Sequence, residues 1–232
     1  MFPCGHYAEY RRRFVTSGRS SPVTFILREN ETVNEAPIRI VFVGDELVAG
    51  FGDARALGWT GRVMARTLND PPILHLTLAV PGENTAELAG RWEAEVTSRV
   101  NNEADCRLVI GMGSHDLDTG LTLARARLHL ANLLDSAERM RLRPFVVGPP
   151  PRRDLSPKIQ GDFTRAYGDV CTRREVPFVD TFTPLVSHEQ WNTDMVLSGG
   201  YTPRQAGYGL MAWLVLHNGW NQWLGVRPAS AS

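Results

Sequence analysis

The sequence predicts an α/β protein, a three-layer α/β/α sandwich built on a five-stranded, mostly parallel sheet. Five short, mostly apolar runs, at 38–44, 73–80, 108–112, 144–148 and 177–180, are bounded by Gly, Pro or Asp, as strands buried on both faces should be. Segments with helical apolar spacing lie between them, and such alternation makes a doubly wound sheet with ligand sites at the carboxyl ends of its strands. A chain of 232 residues with 43% hydrophobic content is also long enough to bury one full-sized core.

The elements follow in order. Residues 1–37 are polar and arginine-rich, with no periodicity beyond Val23-Thr24-Phe25-Ile26-Leu27, and read as an N-terminal extension ahead of a domain over 38–232. A first helix is expected over 54–68, carrying Leu57, Val63, Met64 and Leu68. A second, over 85–99, has Asn84 or Thr85 as its N-cap and Glu87 in the first turn. The segment 121–140 sets Leu121, Ala124, Leu128 and Ala131 on one side, leaving Arg125 and His129 off that stripe. Helices over 159–174 and 203–218 complete the set, the last opened by Pro203 near its first position. Leu210, Trp213 and Leu214 are spaced as a core face, and Trp191, Trp213, Trp220 and Trp223 read as core or sheet-edge cover.

Bulk chemistry narrows the partners. Formal net charge is zero and the charges are scattered, so neither nucleic acid nor a membrane is an expected partner. No apolar run approaches the ~20 residues of a membrane span. Arg11-Arg12-Arg13 leads into polar residues and not the apolar stretch of an export signal, so a cytoplasmic location is expected. Lys158 is the only lysine among 25 basic residues, a usage that suggests a GC-rich bacterial genome. Cys4, Cys106 and Cys171 lack metal or redox spacing, and Cys106 and Cys171 are expected as buried free thiols. His6, His75, His115, His129, His188 and His217 form no HExxH or HxH pair, so no metal or other cofactor is implied. Oligomeric state leaves no mark in the sequence.

Four segments carry the chemistry: Gly44-Asp45-Glu46-Leu47-Val48-Ala49-Gly50, Val80-Pro81-Gly82-Glu83-Asn84-Thr85, Gly113-Ser114-His115-Asp116, and the run from Gly199-Gly200-Tyr201-Thr202-Pro203 to Ala206-Gly207-Tyr208. In this order and at strand ends, they resemble the blocks of the SGNH (GDSL-type) hydrolase family over residues 38–224. Trp59, Gly148-Pro149-Pro150 and Asp180 stand where that family usually has such residues. The resemblance implies a flavodoxin-like sheet and a set of roles. Glu46 takes the place of the nucleophilic serine. Gly82 retains that of the oxyanion-hole glycine, His115 takes that of the oxyanion asparagine, and Gly199 and Thr202 take those of the triad aspartate and histidine.

A serine nucleophile needs a base within hydrogen-bond reach and an orienting group behind that base. Neither Gly199 nor Thr202 can accept its proton. Ser114 and Ser198 are nearby in sequence without a histidine placed to activate them, and His188 with Asp194 matches nothing in the family pattern. Ordinary serine ester hydrolysis is therefore expected to be absent. Glu46 and His115 are expected to converge on one pocket as general base and as general acid or oxyanion donor. Asp45, Gly82, Asn84, Gly113, Ser114, Tyr201 and Thr202 are expected around a small organic substrate. The chemistry is then isomerisation, elimination, cyclisation or direct hydrolysis, on a metabolic or natural-product intermediate. Two further readings stand: a pseudoenzyme that binds a ligand or partner in the cleft, and a residual ester hydrolase with an unrecognised base. Two ionisable groups in one pocket are costly to desolvate unless used or paired, which favours catalysis. Asp45 and Asp116 also read as braces for the site loops, Asn84 as a helix cap and Asp180 as a loop anchor.

Overall fold

The computed structural model of the protein describes residues 38–100 and 104–226, so Cys4, the Arg11–Arg13 run and the Val23–Leu27 segment lie outside it. Strands β1 (Ile38–Gly44), β2 (Ile73–Ala79), β3 (Asp105–Gly111), β4 (Arg143–Val147) and β5 (Phe178–Val179) form one sheet in the order β2-β1-β3-β4-β5. All four pairings are parallel, with Gly44 opposite both Ala79 and Gly111. The five expected strands are all present, and the order is the flavodoxin-like one. Its switch point lies between β1 and β3, whose carboxyl ends open a crevice.

Strand alternation divides the core into two layers. From β1, Ile38, Ile40 and Phe42 enter one layer with Trp59, Val63, Trp191, Tyr208, Met211, Val215 and Trp220. Val41 and Val43 enter the other with Leu88, Trp92, Leu130, Leu134, Tyr167 and Cys171. The first layer is covered by α2 (Gly58–Met64), α7 (Glu189–Leu197) and α8 (Gln205–Val215), the second by α3 (Thr85–Thr97), α4 (Leu123–Arg139) and α5 (Pro157–Thr172). Cys106 and Cys171 are buried free thiols, as expected. No helix among the described residues is long and apolar enough to cross a membrane.

Three expectations change in detail. The helix expected over 54–68 runs only from Gly58 to Met64. Asp53 accepts from the backbone N–H groups of Arg55, Leu57 and Gly58, which holds the preceding residues in a turn. On α4 the buried stripe is Ala126, Leu130, Leu133, Leu134 and Ala137, while Leu128 is 56% exposed. Trp213 does not join the core but stands exposed on α8, its ring stacked on His217 at 4.2 Å. The stretch after β5 also folds into helices that no periodicity announced, α6 (Phe182–Leu185) and α7, which buries Trp191 and Met195.

Candidate functional site

β1 ends where only glycine fits. A Cβ on Gly44 would sit 1.9 Å from the Gly111 carbonyl oxygen, so side-chain-free backbone lets the chain leave the sheet against β3. Asp45 then caps the short helix α1 (Glu46–Ala49), its Oδ1 accepting from Leu47 N–H at 2.9 Å. Glu46, the first residue of α1, crosses the crevice. Its Oε2 accepts from Gly82 N–H at 2.8 Å, and its Oε1 meets His115 Nε2 at 2.8 Å. Residues 36 and 69 positions away in the chain thus close on one carboxylate.

The Gly82 loop is fixed from behind. Arg91 of α3 pairs with Glu83 at 2.5 Å and donates to the carbonyls of Gly44 and Leu78, tying the ends of β1 and β2 to the loop. Asn84 and Glu87 form a reciprocal capping box on α3. The His115 turn is fixed by Asp116, which is fully buried and accepts from Thr85 N–H and Thr85 Oγ1, each at 2.6 Å, and from the Tyr167 hydroxyl. This carboxylate braces the turn after β3 against the first turn of α3 and against α5, the structural role expected of it.

The electrostatics of the pair are lopsided. Burial pushes the Glu46 carboxyl up, but the bonds from His115, Gly82 N–H and its own N–H outweigh burial and hold it at about 2. The Glu46 contact raises the His115 imidazole to about 9 against desolvation, with help from Asp118 and Asp45. At neutral pH Glu46 is therefore a carboxylate and His115 an imidazolium. Asp45, 2% exposed, is pushed up to about 7 by desolvation and then by the Glu46 charge. Its Oδ2 meets no donor at hydrogen-bonding geometry, and Ser114 comes near enough only to soften that shift.

The other expected site residues divide. Gly82 is in the site through its N–H. Ser114 is buried next to Asp45. Gly113 has φ +89° and packs against Tyr167 and Pro149, shaping the turn. Asn84, 7% exposed, has its side-chain oxygen occupied by the N–H groups of Ala86 and Glu87, which leaves only its amide NH₂ for a ligand. Tyr201 is exposed, its ring 5.9 Å from the Arg152 guanidinium. Thr202 is buried beside Gly52 and has no hydrogen bond to Glu46 or His115. Asp180 anchors the loop after β5 by accepting from Thr183 N–H at 2.9 Å.

Among the described residues no serine hydroxyl hydrogen-bonds a histidine ring. Ser198 Oγ donates to the Met195 and Thr202 carbonyls. Asp194, the partner considered for His188, is buried and accepts instead from Arg204 N–H at 2.6 Å and Gly207 N–H at 2.8 Å. Asp45, Glu46 and His115 each offer one ligand atom within 4.8 Å of the others. Glu46 and His115 are spent on each other, however, and a cation would first have to displace the Nε2 proton.

The fold is that of a flavodoxin-like α/β protein, and Glu46, Gly82 and His115 meet at the switch point of its sheet. More narrowly, the chain belongs to the GDSL-like lipase/acylhydrolase family, whose model matches residues 42–210. Among solved structures it is similar to TesA, with TM-score 0.65 and 19% identity over 78% of this chain and 97% of that one. It is similar to the psychrotrophic esterase EstA from Pseudoalteromonas sp., with TM-score 0.64 and 15% identity over 81% and 98% of the two chains. The acetylxylan esterase Axe2 from Geobacillus stearothermophilus gives 0.62 and 18% over 82% and 96%. At these identities the likeness is one of fold. No curated protein matches the chain.

Two residues at the site were not read from the sequence. His115 Nδ1 lies 3.0 Å from Asp118 Oδ2, and that same oxygen accepts from Arg152. The spacing of Asp118, three residues after His115, is the one local signal that could have pointed to an orienting carboxylate.

Proposed function

We propose that the protein is an enzyme on the GDSL-like scaffold whose chemistry is proton transfer by Glu46 and His115, not acyl transfer through serine. The observation that carries this is the Glu46 Oε1–His115 Nε2 contact of 2.8 Å at the carboxyl ends of β1 and β3. The substrate is a small organic molecule with an oxygen that accepts from Nε2–H and a C–H, O–H or bound water that gives its proton to Oε1. Insertion between the two groups removes the contact that keeps Glu46 weakly basic and His115 weakly acidic, so both shift toward reactive values only when the site is filled. Gly82 N–H keeps hold of Oε2 and thus of the carboxylate's direction.

After one turnover Glu46 carries the substrate's proton and His115 has given its own to the substrate oxygen. Departure of product lets the two side chains close again, and the proton passes from Oε1 to Nε2. The pair resets without solvent, which suits isomerisation, elimination or cyclisation and also permits direct attack of water. The heavy arginine usage supports a bacterial setting, the polar residues after Arg11-Arg12-Arg13 support a cytoplasmic one, and the unusual site supports an intermediate of metabolism or natural-product synthesis as substrate.

A second reading has one observation in its favour. The pair is fully satisfied in the free protein, as it would be in a pseudoenzyme that binds a partner or ligand in the cleft. A serine-directed fluorophosphonate probe is expected to leave the folded protein unlabelled, as checked by intact mass. Adduct formation on any serine would instead restore a residual ester hydrolase and remove the proton-transfer proposal.

A further inference from the structure

We propose that Asp118 and Arg152 are the positioning residues of this site: Asp118 fixes the imidazole so that Nε2 faces Glu46, and Arg152 sets how much of the Asp118 charge the ring feels. This deepens the Glu46–His115 reading and rests on the same pair.

The geometry is a continuous chain of alternating charge: Glu46, His115, Asp118, Arg152, Asp154. An imidazole held at Nε2 alone is free to tilt about that bond, whereas a second acceptor on Nδ1 fixes the plane of the ring. Asp118 supplies that acceptor at 3.0 Å. Asp118 itself is surface-facing and needs an anchor of its own. Arg152 is that anchor, because it is held in place by everything around it. Its backbone N–H donates to Gln160 Oε1 at 2.8 Å, and its carbonyl accepts from Gln160 Nε2 at 2.9 Å, locking the loop after β4 onto α5. Its guanidinium, buried to 8% exposure, donates to Asp118 and to both oxygens of Asp154. It also donates to the Ser114 carbonyl at 2.9 Å. That last bond grips the residue immediately before His115, so one side chain sets both the backbone and the ring of the histidine. The exposed Tyr201 ring has its centroid 5.9 Å from the guanidinium carbon.

The two residues act on His115 with opposite sign. The Asp118 charge stabilises the imidazolium. Arg152 shares the oxygen that faces Nδ1 and adds a positive charge of its own, which disfavours the imidazolium. The charged groups acting directly on His115 are Asp45 and Glu46 from the β1–α1 junction and Asp118 from its own turn, and Arg152 from the β4–α5 loop reaches it through Asp118 and the Ser114 carbonyl. A purely structural brace would not produce opposite shifts when its two members are removed in turn.

The experiment is a proton–nitrogen NMR titration of the histidine rings in the full chain, comparing the parent with Asp118→Asn and Arg152→Met. Asp118→Asn is expected to lower the His115 midpoint by about one unit and Arg152→Met to raise it by about half a unit. Backbone amide shifts remote from the site serve as the control for the fold. Should Arg152→Met fail to fold, Arg152→Lys keeps a cation at the site with fewer bonds and is expected to move the midpoint by less than 0.3 units or so. Shifts of equal sign in the two variants, or no fall in Asp118→Asn, would overturn the proposal. The titration reads the ring whether or not a substrate is turned over, so its failure is distinct from a failure to find proton-transfer activity.

Discussion

Replacing Glu46 with glutamine is expected to reduce turnover by about 10²- to 10⁴-fold while the protein stays folded and still binds ligand. Glutamine has almost the same shape and can still accept the Gly82 N–H bond, so the loop beyond β2 has no reason to move. What disappears is, among the described residues, the only carboxylate in contact with His115 Nε2. A general base lost in this way lowers kcat far more than KM, because the base acts on the proton in flight and not on the resting substrate. The check is a steady-state comparison on whichever small organic compound a metabolite screen shows to be turned over. Equal behaviour of parent and variant in both binding and turnover would hand the cleft to the pseudoenzyme reading.

The largest effect on stability is expected at Asp116. Asp116→Ala leaves three buried donors without an acceptor, those of Thr85 N–H, Thr85 Oγ1 and the Tyr167 hydroxyl. Stranding three buried neutral donors costs about 3–5 kcal/mol in all, which for a domain of this size lowers Tm by roughly 10 °C. Asp116→Asn keeps an oxygen facing Thr85 and should lose about half as much. Thermal denaturation followed by circular dichroism reads both. A loss below about 1 kcal/mol in Asp116→Ala would show that this carboxylate does not brace the two site loops. The effect reaches function because the Gly82 loop and the His115 turn are the parts it joins.

Much of this architecture was legible in the residues because strands buried on both faces leave an unambiguous mark. The runs ending at Gly44, Ala79 and Val147 are mostly apolar and are followed within two residues by Gly, Pro or Asp, so their sequence and approximate length could be read directly. The face of α4 was not, because apolar residues occur on more than one side of that helix. Leu121, Ala124, Leu128 and Ala131 make a plausible stripe, and only contact with α3 and α5 selects Ala126, Leu130, Leu133 and Leu134 instead. Helices of four residues such as α1 and α6 are too short to show a period at all.

At the site, Glu46, Gly82 and His115 were legible from their positions in the strand-end blocks. The part played by Arg152 was not. A buried arginine in a proline-rich loop looks like any solvated one, and its partners lie 34 and 38 residues upstream at Asp118 and Ser114. Asn84 shows the reverse case, where one residue fitted two roles and the local capping bonds took its oxygen.

The pair also sets a pH dependence whose sign follows from its two shifts. His115, raised from 6.5 to about 9, adds stability that is complete below 6.5 and is lost as pH climbs through 9. Glu46, lowered from 4.5 to about 2, adds stability that is complete above 4.5 and is lost as pH drops through 2. The stability gap between the parent and Glu46→Gln should therefore be widest between about 4.5 and 6.5 and narrow toward pH 9 and beyond.

The most direct measurement is the titration of the His115 ring in the parent and in Glu46→Gln. The parent midpoint is expected near 9, falling in the variant toward the ordinary histidine value of 6.5. A parent midpoint already near 6.5 and unmoved by the substitution would mean that Glu46 and His115 are not joined across the cleft, and the proposed chemistry would lose its base and its acid together.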